Sequence, residues 1–68
     1  MKSNKSPREI RKAAGLSQLK VAAATDRSLP TVQKYEANRE HCSPESRAAL
    51  DPYYARLAEH LAGRNAHA

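Results

Sequence analysis

Phenylalanine and tryptophan are absent from the 68 residues, and three tyrosines are the only aromatics. Any core must be built from Ala, Val, Leu, the single Ile10 and those tyrosines, so it will be small, and one domain is all the chain can support. One cysteine excludes an internal disulfide and a Cys-rich zinc site, and fits a reducing compartment. His41 beside Cys42 does not change this, because a structural zinc needs four ligands. No apolar run approaches a signal h-region or a membrane span, so the expectation is a soluble, cytoplasmic protein. Paired carboxylates, a phosphate-binding glycine loop and a Ser/His/Asp order are all missing, and there is little volume for a pocket. The chain therefore reads as a non-enzyme without cofactor, metal or evident small-molecule ligand.

What is present is helix-forming and basic. Twelve Lys and Arg oppose seven Asp and Glu, giving a net charge of +5 and a pI near 9.8, which suits a polyanionic partner. Ala, Leu, Lys, Arg and Glu dominate between proline-marked breaks, with only two glycines, so the predicted class is all-α with four to five short helices. Residues 1–5, with Lys2 and Lys5, read as a flexible basic arm; residues 6–62 form the domain, and 63–68 a frayed tail. Ser6-Pro7-Arg8-Glu9 is a capping box with proline in the first turn, opening a first helix that Gly15 closes. Ile10 and Ala14 point inward with Ala13 nearby, and Arg8 and Lys12 lie on a second face.

The stretch Leu16–Arg39 organises the rest. Ser17 caps a short helix from Gln18 to about Thr25, with Val21, Ala22 and Thr25 inward and Leu19 and Lys20 outward. Thr25-Asp26-Arg27 interrupts it. Ser28 then caps a second helix, Leu29 to about Ala37, with Pro30 in its first turn. Val32 and Tyr35 share one face, Tyr35 packing with its hydroxyl at the edge, while Leu29, Pro30, Thr31, Gln33 and Lys34 leave another face open. Two helices joined by such a turn, at 17–37, form a helix-turn-helix, whose second helix enters the DNA major groove. Lys34 can reach guanine acceptors or a phosphate, Thr31 a phosphate or base, and Gln33 an adenine. Gln18 heads a helix whose free N–H groups can seat a phosphate, and Arg27 can reach another.

Arg11, Gly15, Leu16, Ser17, Gln18, Val21, Ala22, Ser28, Thr31, Val32, Tyr35 and Glu36 together resemble the Xre/Cro/phage-repressor family of helix-turn-helix domains. The likeness runs without a gap from Gly15 through Asn38 and covers roughly residues 8 to 39. It implies a lambda-repressor-like fold in which Gln18 touches a phosphate and Leu29, Pro30 and Lys34 face base edges. It further implies that Asn38 and Arg39 make backbone contacts to DNA, and that Arg11 and Glu36 form an ion pair joining the first helix to the recognition helix. Two positions depart from it. Asp26 stands where the family has glycine at positive φ, a conformation Asp tolerates better than most residues. Arg27 replaces an apolar residue, leaving its aliphatic stem to pack. Leu29 and Pro30 would read thymine methyls by apolar contact.

Beyond the motif, Ser43-Pro44 caps a fourth helix through Leu50, and Asp51-Pro52 restarts the chain as a fifth to about Ala62, stopped by Gly63. Tyr54, Leu57, Ala58 and Leu61 recur at i, i+3, i+4 and i+7, an apolar stripe that either closes the core or, with Tyr53, meets a second copy. The expected DNA-binding set is Gln18, Arg27, Ser28, Leu29, Pro30, Thr31, Gln33, Lys34, Asn38 and Arg39. The expected function is a small prokaryotic or phage repressor, homodimeric on a palindromic double-stranded operator and associated with the nucleoid. Two other readings stay open: an excisionase-like architectural DNA-binding protein, and an antitoxin- or inhibitor-type module that binds a protein.

Overall fold

A computed structural model describes residues 5–66. The expected basic arm lies, apart from an exposed Lys5, outside them, as do His67 and Ala68 of the tail. The fold is all-α: α1 Pro7–Ala13, α2 Gln18–Thr25, α3 Leu29–Ala37, a 3-10 turn Arg39–His41, and α4 Pro44–Ala66. No helix among the described residues is long and apolar enough to cross a membrane.

Each short helix starts where a serine can satisfy its free N–H groups. Ser6 Oγ accepts from Glu9 N–H at 3.2 Å, while Glu9 Oε1 accepts from Ser6 N–H at 2.9 Å, a complete capping box. Ser17 accepts from Lys20 N–H at 3.1 Å, and Ser28 from Thr31 N–H at 3.3 Å. The exits are equally local. Gly15, at φ 76°, lets Leu16 N–H reach the Arg11 carbonyl at 3.1 Å and its own N–H reach the Lys12 carbonyl at 3.0 Å. Both bonds define a Schellman ending. Asp26, at φ 58°, closes α2 in the same left-handed way, with Arg27 N–H on the Ala22 carbonyl at 3.0 Å. Three residues thus turn the chain from α2 into α3.

Val21 and Ala22 from α2, Val32 and Tyr35 from α3, Cys42, and Leu50 and Tyr54 from α4 make the core, with Ile10, Leu16 and Tyr53 against it. Ile10 and Ala14 are half-buried on α1, but Ala13, expected nearby, is exposed. Leu19 projects outward, 65 % exposed. Cys42 is a core residue whose thiol sits 3.9 Å from the Thr31 carbonyl.

The C-terminal half corrects the sequence reading. The expected fourth and fifth helices are one 23-residue helix, α4, which packs against α1, α2 and α3 and carries Pro52 inside it. A proline there removes one helical hydrogen bond and disfavours helical backbone at the preceding residue. Two features offset this. Pro52 and Ala48, whose carbonyl loses its partner, are both exposed, so water can complete the bond. Asp51 and Tyr54, either side of the proline, are gripped by side chains of α3 and the turn after it, which anchors the helix on both sides of Pro52. Nor does Gly63 end α4, which continues to Ala66; a helical glycine costs about 1 kcal/mol and stops nothing by itself.

Candidate nucleic-acid interface

Helix α3 has two unlike sides. Val32 and Tyr35 are buried, and Leu29, Thr31 and Glu36 are half-buried, while Pro30, Gln33, Lys34 and Ala37 are exposed. Positions 30, 33, 34 and 37 are spaced i, i+3, i+4 and i+7, so they form one stripe facing away from the core. Among the described residues, neither Gln33 nor Lys34 is engaged by a side-chain hydrogen bond or an ion pair. Beside Lys34 an open groove of about 260 Å³, lined by Pro30, Thr31, Lys34, Cys42, Ser43 and Ser46, separates α3 from the start of α4.

The inner side of α3 is fixed through Glu36, whose side chain is 2 % exposed. Its Oε2 accepts from Arg11 Nε at 2.6 Å and from the Tyr54 hydroxyl at 2.5 Å, and its Oε1 accepts from Gln18 Nε2 at 3.1 Å. Arg11 also donates from Nη1 to the Leu16 carbonyl at 2.8 Å. Burial pushes the Glu36 carboxyl up, but the hydrogen bonds of Arg11, Tyr54 and Gln18, with the Arg11 charge, outweigh it and hold the group below its ordinary value. The Arg11–Glu36 pair implied by the resemblance is therefore present, and buried.

Tyr35, next to Glu36, donates its hydroxyl to Asp51 on α4. The two helices are held by crossed pairs: each tyrosine donates a hydrogen bond to the carboxylate on the opposite helix. Their rings lie 5.1 Å apart, tilted by 33°, so stacking and hydrogen bonding act in the same place. Burial, then the adjacent carboxylate, pushes both phenols far above the usual tyrosine value. Among the described residues no buried side-chain nitrogen or oxygen lacks a partner.

The other expected DNA contacts divide. Gln18 turns its side-chain amide inward to the second oxygen of Glu36, which no other donor among the described residues reaches. Arg27 is half-buried and spends Nε on the Asp26 carbonyl at 3.0 Å, steadying the left-handed turn. Ser28 and Thr31 bond each other, their hydroxyls 2.8 Å apart at the α3 cap. Asn38 is exposed at the end of α3. Arg39, expected to hold DNA, instead grips Asp51, Nε to Oδ1 at 2.9 Å and Nη2 to Oδ2 at 2.5 Å. The Arg39 bonds come first; burial pushes the other way, but with the Tyr35 bond and the charges of Arg39 and Arg47 added, Asp51 is held below its ordinary value.

Sequence reasoning missed Asp51 and Tyr54 as partners of α3, and Arg47, whose Nη1 ties the loop through the Cys42 carbonyl at 2.7 Å. One signal was present: a tyrosine at a core position needs an acceptor for its hydroxyl. The chain matches no protein-family model, and comparison with curated proteins and with solved structures finds no match either.

Proposed function

We propose that this protein is a sequence-specific DNA-binding regulator that lays α3 in the major groove. One observation carries the reading: the outward stripe of α3 presents Pro30, Gln33, Lys34 and Ala37 to solvent, while its inward side is tied to three other helices through Glu36. A recognition helix needs that division, with base-reading side chains free and backbone immobile. Lys34 reads guanine or a phosphate, Gln33 reads adenine, and Pro30 with the half-buried Leu29 meets thymine methyls. Asn38, the remaining N–H groups of Arg27 and the exposed Lys20 supply phosphate contacts. The resemblance to the Xre/Cro/phage-repressor family adds the role of a small repressor in the bacterial cytoplasm. Two copies would sit on a palindromic operator with half-sites about one helical turn apart.

The architectural alternative draws on Pro30, an exposed apolar residue without a backbone N–H at the start of the reading stripe, which favours shape over base identity. Selection from random DNA duplexes followed by a salt titration separates the readings. An enriched two-fold motif supports a dimeric regulator, and the salt slope counts its phosphate contacts. Retention without a motif favours architectural binding. Failure to retain any duplex rejects both and leaves the protein-binding module.

A further inference from the structure

We propose that Asp51 masks Arg39, holding in reserve a phosphate-binding guanidinium that DNA must take from it. The inference rests on the DNA-binding reading and adds a control to it. Arg39 opens the turn directly after α3, two residues beyond Ala37, the last position of the exposed stripe. Its fork is occupied: Nε and Nη2 lie on the two oxygens of Asp51 at 2.9 and 2.5 Å. A carboxylate and a phosphodiester offer the same pair of acceptors to that fork, so the two compete for the same donors.

Three features make exchange possible without loss of the fold. The pair is open to solvent, 47 % exposed at Arg39 and 38 % at Asp51, which puts it among ion pairs of small net strength. Asp51 keeps a partner when Arg39 leaves, because the Tyr35 hydroxyl stays on Oδ1. Arg47, one turn earlier on α4, leaves a second cation nearby. The contrast is Arg11, whose buried pair with Glu36 has no such freedom. While paired, Arg39 adds nothing to the net positive field of the reading face. On release it adds one charge, and Asp51 is left repelling the phosphate backbone.

Asp51→Asn removes the competing charge while its amide oxygen still accepts from Tyr35. On the duplex selected above, at about 0.1 M salt, the variant should bind about two- to fivefold more tightly than the wild type. Its log–log salt slope should match that of the wild type, because Arg39 meets the phosphate in both complexes. Arg39→Ala/Asp51→Asn should lose the gain in affinity, with a slope shallower by about 0.9, one phosphate contact. Unchanged or weaker binding by a folded Asp51→Asn protein, checked by circular dichroism, overturns the masking and makes Asp51 a plain support for Arg39. A wild type that binds no duplex instead overturns the DNA-binding reading and the mask with it, so the two failures are distinct. Should Asp51→Asn not fold, the Arg39 Nε–Hε resonance of the wild type decides. A shift on adding duplex shows exchange, and an unmoved resonance in the bound complex overturns it.

Discussion

Glu36 takes hydrogen bonds from three other helices, through Arg11 of α1, Gln18 of α2 and Tyr54 of α4. Removing its carboxylate leaves Arg11 charged and buried with no counter-charge and only the Leu16 carbonyl to bond, and breaking a buried ion pair in this way typically costs about 3–5 kcal/mol. Glu36→Ala should therefore lower stability by about 4 kcal/mol, enough to unfold much of so small a domain, as a urea titration would register. Tyr54→Phe removes one donor to a charged acceptor and should lose about 2 kcal/mol. Equal and small effects would mean that water enters the site. Lys34 lies at the other extreme, exposed and unpaired among the described residues. Lys34→Ala should leave the urea midpoint unchanged and weaken specific DNA binding by about 1–3 kcal/mol; an unchanged affinity removes Lys34 from the interface.

At the scale of elements, what the sequence makes legible is whatever neighbouring residues decide. Ser6, Ser17 and Ser28 announce the three short helices because a cap reaches only three residues ahead. Gly15 and Asp26 mark their exits for the same reason. Asp51-Pro52 was misread as a break because its continuity rests on Tyr35 and Arg39, sixteen and twelve positions away. The inward turn of Gln18 was hidden likewise: a helix-leading glutamine looks solvent-facing until Glu36, eighteen residues on, needs a second donor. If tertiary contacts hold α4 together across Pro52, then Pro52→Ala should raise stability by about 1–3 kcal/mol, returning a hydrogen bond to the Ala48 carbonyl. A urea midpoint that falls would show that the proline shapes α4 instead of being tolerated by it.

The whole molecule balances a core of seven buried residues among those described against a few polar ties, and those ties set its pH range. Glu36 and Asp51 both sit below their ordinary values of 4.5 and 3.8, so the folded state binds fewer protons there than the unfolded chain. Their contribution is complete above those values and is lost as pH falls through the lower, folded ones. Tyr35 and Tyr54 are raised above 10.0, and their contribution is complete below that value and declines as pH rises further. Melting temperature measured across pH should form a plateau with an acid shoulder starting near 4.5 and an alkaline one near 10. An acid limb as flat as the plateau would contradict the two carboxylate sites.

Cys42 is the chain's one thiol, and it is buried where the loop meets α3. It can serve as a clock for opening. An alkylating reagent reaches the sulfur only when that junction parts, so the ratio of labelling rates in unfolded and native protein measures the free energy of the opening. Labelling across a range of denaturant would then show, from a single atom, how tightly α3 is clamped to the loop beneath it.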